Sequence, residues 1–335
     1  MSFCLIDSER LKHNIDIVSN FIDFHKIAIV IKNNAYGHGL LEIAKLASNN
    51  GIKHAVVINC KEANLVKDFF DTVLVLSDTV NEFNSSNIHI AINDIDSIQR
   101  IPRSSKVELK IDTGMHRNGI HLSEVGQALD MIDSHQLLLK GVFTHFADPY
   151  KESSLFKQKE KFDRLKEDIK VRYPNMSIRF HCSSSPSIFL LNNDEYDLAR
   201  IGLALYGYVD LPKKNQSPNL KPIMSLWAEK ISCRKIVKGD RVGYGGVFQA
   251  KRNMQISTYD IGYGDGFMRL DEYKNSKISD GRSIIGRVSM NNLAIEGNDQ
   301  EVCIFDDVKD LSRVHNTISY EILCRINENI EKRII

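Results

Sequence analysis

"IAIVIKNNAYGHGL" (residues 27–40) decides how this chain is read. Five apolar residues run without a break into Lys32, and a polar, glycine-bearing turn follows. A run that is apolar at every position, not at every second one, reads as a strand covered on both faces. Lys32 is then either a solvated strand end or an amine held at the mouth of a fold.

The pattern recurs outward from this stretch. β-branched runs lie at 27–31, 54–58, 72–76, 88–92, 107–111, 140–145, 178–182 and 197–201. Between them lie segments such as "LLEIAKLASNN", "KEANLVKDFF", "LSEVGQALDMI" and "FKQKEKFDRLKEDIKV", with apolar residues near i, i+3 and i+4. Short strands alternating with amphipathic helices predict parallel βαβ units, and eight of them close a (β/α)8 TIM-like barrel in about 200 residues. The style changes at "DLPKKNQSPNLKPIM" (210–224), which holds three of the seven prolines and reads as a linker. Beyond Pro222 come alternating stretches broken by glycine turns, Asp280-Gly281 among them, as in β-hairpins. The expected organisation is an α/β barrel over 9–213 and a mostly-β C-terminal domain over 214–335, with residues 1–8 pairing into the latter.

Composition removes several classes. The net charge of +1 gives no basic surface for nucleic acid or anionic membrane. The longest apolar runs are far shorter than the ~20 residues of a membrane span. "MSFCLIDSERLKHN" meets charge early and lacks the apolar core of a signal peptide. The six cysteines are scattered with no C-x-x-C, which fits reduced thiols in a cytoplasmic protein and no metal site.

In such a barrel, reactive residues sit where strands end. Lys32 ends the first run. Lys110 lies in the fifth, with Arg117 after it in "KIDTGMHRNG". His145 closes the sixth, Ser183, Ser184 and Ser185 follow the seventh, and Arg200 lies in the eighth. An amine, two guanidiniums and hydroxyls at one rim suit an anionic ligand carrying a phosphate and a carboxylate.

"AIVIKNNAYGHG" resembles the cofactor-lysine signature of the alanine racemases, barrel-type enzymes that use pyridoxal 5'-phosphate. "LKIDTGMHRNG", "FTHFAD", "HCSSSP", "ARIGLALYG", "VGYGGVF", "IGYGDGFMR", "GRVSM" and "ISYE" resemble further family segments, in family order, over about residues 25 to 325. The resemblance implies a PLP-dependent two-base racemisation of L- and D-alanine, with Lys32 on one face of Cα and Tyr244, from the partner of a homodimer, on the other. It implies that Tyr36, Ser185, the Gly202–Leu203 backbone and Tyr320 hold the cofactor's phosphate. It places Arg200 against the pyridine nitrogen and makes His145 the histidine that holds Arg200. Arg117 and Met290 would take the substrate carboxylate, Tyr263 would narrow the entrance, and Lys110 would be a carbamylation site. The chain departs from the family at Ser184, where Asn is common before the phosphate-binding serine, and at Asn291, where Asp often follows the methionine. The implied role is D-alanine supply for the cell wall.

Rival readings are a serine or broad-range racemase, a PLP-dependent decarboxylase, a PLP carrier and a cofactor-free barrel. Decarboxylases of this kind generally place Glu where this chain has Arg200, and carriers lack the β domain with its tyrosine.

Overall fold

The computed structural model describes residues 1–78, 85–191, 195–212, 215, 217–269 and 276–335. The chain divides into two units. One comprises Lys12–Asn33 and Ile43–Leu220; the other comprises Met1–Leu11, Asn34–Glu42 and Lys221–Ile335. The expected linker over 210–224 contains residues 213, 214 and 216, and the expected boundary at 213/214, which lie outside the described residues.

The first unit is built on a parallel ring. Its strands are Ile27–Val30, His54–Val57, Thr72–Val75, Ile88–Ile92, Lys106–Asp112, Leu138–Thr144, Arg179–His181 continued by Ser183–Ser184, and Ala199–Ile201. The seventh strand pairs with the sixth before Cys182 and with the eighth after it. The eighth pairs with the first, Arg200 opposite Ala28, so the ring closes through the chain at Cys182. The strand positions expected from the β-branched runs are all occupied. The runs are continuous because side chains on both faces of the strands are largely buried.

Helices Leu40–Asn49, Cys60–Val66, Val125–Ser134 and Glu152–Arg172 follow the first, second, fifth and sixth strands. The second shows its start signal plainly. Asn59 Oδ1 accepts from Glu62 N at 2.8 Å, and Glu62 Oε2 accepts from Ile58 N at 3.0 Å, a reciprocal cap. The alternation is less regular than expected. A single 3-10 turn, Ile98–Arg100, follows the fourth strand, and another, Ser187–Phe189, follows the seventh.

Barrel interiors are usually filled by layers of Val, Ile and Leu. Here buried Glu108, His89, His181 and Arg200 project inward with Arg179 among them. Gly141 lies opposite Glu108 on the neighbouring strand. A Cβ at Gly141 would fall 2.7 Å from Glu108 Oε2, so glycine leaves the space the carboxylate fills.

In the second unit, strand Met224–Ile236 is the spine of a six-stranded sheet. It pairs antiparallel with Phe3–Ile6, Met254–Tyr259 and Glu301–Phe305. Phe3–Ile6 also pairs parallel with Glu331–Ile334, and Leu293–Glu296 flanks Met254–Tyr259. Gly281, at φ 88°, makes the expected hairpin turn, with Ile278 N bonded to Arg282 O at 2.9 Å. The unit is not purely β: Lys309–His315 and Ser319–Cys324 are short helices.

Candidate active site

Lys32 follows the first barrel strand, and the chain after it does something the sequence reading did not foresee. The sequence shows only a polar, glycine-bearing turn. Asn33, Asn34, Ala35 and Tyr36 have φ of 52, 53, 50 and 54°, a left-handed helical turn. Such a conformation costs about 1–2 kcal/mol per ordinary residue, less for asparagine, whose short polar side chain bonds locally. The following residues hold Ala35 and Tyr36 there. His38 is fully buried, and burial lowers its pKa to about 4, so it is neutral at pH 7. Its Nδ1–H donates to the carbonyls of Ala35 and Tyr36, both at 3.0 Å. Asn34 Oδ1 accepts from Leu40 N at 2.7 Å, and Asn34 O from Gly39 N at 3.1 Å. Gly37 has φ 81°, and a Cβ there would lie 2.1 Å from Leu323 O. The turn sets the Tyr36 ring 5.7 Å from that of Tyr320. Burial, then Tyr320 and Cys324, push the Tyr36 phenol up, which keeps it a hydroxyl donor.

Inside the barrel a hydrogen-bonded chain leads to Arg200. Glu108 has no exposed surface. It accepts from His89 Nδ1 at 2.7 Å, Arg179 Nε at 2.9 Å and His181 Nε2 at 2.6 Å, and also from Arg179 Nη2. Burial alone would raise its carboxyl; Arg179 and the His181 and His89 hydrogen bonds outweigh that and hold it well below the usual range. Burial lowers His181 to about 4, against the pull of Glu108. His181 Nδ1 then faces Arg200 Nη1 at 2.5 Å. Arg200 also donates to Thr144 O at 2.6 Å and lies 5.0 Å over the Phe143 ring. Burial lowers it to about 10, so it is charged at neutral pH.

Arg200 thus has two imidazole neighbours: His181, which makes the shorter contact, and His145, to which the sequence reading gave the task of holding it. His145 Nδ1 stands at 3.5 Å, the outer limit of a hydrogen bond. Its own environment is informative. Burial, then Arg200, Lys110, Arg117 and Lys32, lower it to about 3. The imidazole is therefore neutral at pH 7, with the field of these cations acting on it. Lys110 Nζ bonds Asn118 Oδ1. Its amine is lowered to about 8 by burial, then by Arg117, Arg200 and Lys32. Arg117 is exposed on a loop shaped by Asp112, whose Oδ1 accepts from Gly114 N, Met115 N and His116 N at 2.9, 2.9 and 3.1 Å.

The buried Ser185 hydroxyl accepts from the N–H of Gly202 at 3.1 Å and of Ala204 at 3.2 Å. Leu203, which the sequence reading pairs with Gly202, lies between these two donors, and its carbonyl accepts from Tyr206 N at 3.1 Å and Tyr208 N at 3.0 Å. With both N–H groups turned to its oxygen, the Ser185 hydroxyl keeps its own proton to donate, and it and the Gly202–Ala204 turn stand where a phosphate oxygen would find donors. Ser184 is engaged by Ser187, whose Oγ accepts from Ser184 N at 2.6 Å. Tyr206, which the sequence reading missed, donates from Oη to Val30 O at 2.9 Å and pins the strand that leads to Lys32.

In the second unit, loop 286–290 gathers the remaining residues. Tyr263 N donates to Ser289 O at 3.1 Å and Gly264 N to Met290 O at 2.7 Å, which fixes Tyr263 beside Met290. Gly243, which precedes Tyr244, lies against Gly286 and Arg287. Tyr244, on a turn with Gly243, Gly245 and Gly246 all at positive φ, is 71% exposed, and Met290 57%. The unit thus offers a tyrosine, a methionine and a second tyrosine to solvent from adjoining loops.

The profile described as "Alanine racemase, N-terminal domain" matches residues 6–210, and that described as "Alanine racemase, C-terminal domain" matches 223–334. The chain is 44% identical to the alanine racemase of a Nitratiruptor species, covering 99% of each chain. It is 36% identical to that of Campylobacter jejuni subsp. doylei, covering 100% of each. Among solved structures, the alanine racemase of Clostridium difficile 630 superposes with a TM-score of 0.86 at 23% identity, over 100% of this chain and 95% of that one. The Bacillus anthracis enzyme with bound L-Ala-P gives 0.87 at 23%, over the same shares.

The geometry makes two predictions about stability. Gly37→Ala should lower unfolding free energy by more than about 2 kcal/mol in urea titration, because both φ and the Leu323 carbonyl oppose a Cβ. Gly126→Ala, in a helix with no atom within 4 Å of the new carbon, is the control and should stabilise by about 1 kcal/mol. The second prediction concerns pH. His38 and His181 stay neutral in the fold to about 4 but take protons in the unfolded chain below 6.5. Stability should be flat between about pH 6.5 and 7.5 and fall as pH drops toward 4, by up to about 1.4 kcal/mol per pH unit per histidine. Glu108, with its depressed carboxyl, steepens the loss below about 4.5. The urea midpoint at pH 7.5, 6 and 5 measures the slope.

Proposed function

Because the chain belongs to the alanine racemase family, we propose that it interconverts L-alanine and D-alanine using pyridoxal 5'-phosphate. The observation that carries this reading is the set of barrel strands that lead to Lys32 and bear Lys110 and Arg200, with Arg200 held between His181 and His145. The donor set fits the cofactor. Ser185 and the Gly202–Leu203 backbone beside it suit its phosphate, Lys32 supplies the amine it needs as a covalent anchor, and Arg200 offers N–H donors and no acceptor to its ring nitrogen. Tyr36 and Tyr320 are the proposed hydroxyl donors to the phosphate.

When bound, the cofactor withdraws electrons from Cα and makes its proton acidic. The protein then has to remove that proton from one face and return one to the other. Lys32 serves one face. Tyr244 of the partner subunit serves the other, in a homodimer whose two active sites are shared, and its exposure supports this. Arg117 and the Met290 backbone N–H hold the substrate carboxylate, and Tyr263 narrows the entrance. A guanidinium at the ring nitrogen does not hand over its proton, which limits electron withdrawal and favours return of the proton to Cα over transfer elsewhere. Lys110 is proposed as a carbamate. Its amine is easily deprotonated, attacks CO2 and releases one proton, and the resulting anion attracts Arg117 where the ammonium repelled it. The cellular role is D-alanine supply for peptidoglycan, in the cytoplasm.

Incubation with PLP in D2O and a panel of L-amino acids tests the reading. Alanine should lose its Cα–H signal fastest and appear as the D enantiomer. CO2 release, or faster exchange of serine, would move the protein to another class. Tyr244→Phe should reduce exchange from L-alanine by at least about 100-fold, within the usual worth of a general base, with cofactor absorbance kept. Under 13CO2, a carbamate 13C signal should appear in the parent protein and vanish in Lys110→Met.

A further inference from the structure

We propose that Glu108 is a positioning residue for the racemisation: its carboxylate fixes the tautomer of His181 and so the direction in which Arg200 holds its charge. The inference deepens the proposed function and rests on its reading that Arg200 faces the cofactor's ring nitrogen.

Matching donors to acceptors leaves one solution. An ionised carboxylate can only accept, and a guanidinium can only donate. His181 lies between the two, with Nε2 at 2.6 Å from Glu108 Oε2 and Nδ1 at 2.5 Å from Arg200 Nη1. One arrangement satisfies both ends. Nε2–H donates to Glu108, and the Nδ1 lone pair accepts from Arg200. With the other tautomer, two lone pairs would meet at Glu108 and two N–H groups at Arg200. Glu108 is itself immobile. His89 Nδ1 and Arg179 Nε hold Oε1 at 2.7 and 2.9 Å, and Gly141 leaves the cavity that its carboxylate fills. Glu108 and Lys110, two residues apart on one strand, project to the same side. Glu108 therefore acts through His181 from below the cationic mouth, without reaching the reacting atoms.

Histidine 15N spectra of the protein without cofactor test this directly, with His181→Asn assigning the signals. The parent protein should show His181 as a single Nε2–H tautomer that stays neutral at pH 6. An Nδ1–H tautomer or an imidazolium in the parent would overturn the proposal, whether or not any variant folds. In Glu108→Gln, the amide can no longer meet His181, His89 and Arg179 with acceptors alone. We expect mixed His181 tautomers and a fall in kcat of at least about tenfold, as for other residues that orient a site from outside it, with KM within about twofold. Unchanged tautomer and kcat in a folded Glu108→Gln protein would also overturn it. The underlying reading fails separately: parent protein that exchanges no Cα proton while His181 keeps its predicted tautomer refutes the racemase assignment and leaves the relay standing.

Discussion

A carboxylate shielded from water stays charged only if donors surround it, and the barrel interior is arranged around meeting that condition at Glu108. Arg179 and two imidazoles supply the donors, and Gly141 supplies the volume. Arg200 then needs an acceptor, and His181 turns its second nitrogen toward it. With two guanidiniums and one carboxylate inside, and neutral histidines between them, the axis retains positive charge. Lys32 and Arg117 add to it at the mouth. Such a site attracts anions before any specific contact forms, which is what a phosphorylated cofactor and an amino-acid carboxylate both offer.

The segment after Lys32 shows a different kind of constraint. Four left-handed residues in a row are held by neighbours that have little other choice. Gly37 and Gly39 are at positive φ, and His38 is buried with its Nδ1 tied to the backbone. Strain of this sort persists when the surroundings over-determine it. It fixes the direction of the chain within four residues of the lysine, with far less freedom than a loop of ordinary conformation would have.

Much of this was legible in the sequence, for physical reasons. Parallel strands covered on both faces give unbroken β-branched runs, so the eight strand positions stood out. Lys32, Arg117 and Arg200 were visible as charges at strand ends or beside glycine. Glu108, His181 and Arg179 were not seen. Each sits inside a strand, where a polar residue reads as alternation and not as a buried network. The usable signal was polar residues two apart in "VELK" and "IRFHC", which share one face of a strand. The left-handed turn was hidden because propensity treats Ala35 and Tyr36 as helix formers. Only the two asparagines and two glycines hinted at it. His145 was visible as a neighbour for Arg200, but the second imidazole beside it, His181, was not, because two histidines near strand ends cannot be ranked without distances.

Strand Phe3–Ile6 sets the order in which this protein can be completed. Its antiparallel partner begins at Met224 and its parallel partner at Glu331. On a ribosome adding about 5–20 residues per second, the first strand waits on the order of ten to forty seconds for Met224 to emerge, and longer for the last strand. The barrel strands are translated within that interval, each close to its neighbour in sequence. Until Met224 emerges, the nascent chain therefore carries an unpaired, apolar β edge ahead of the barrel.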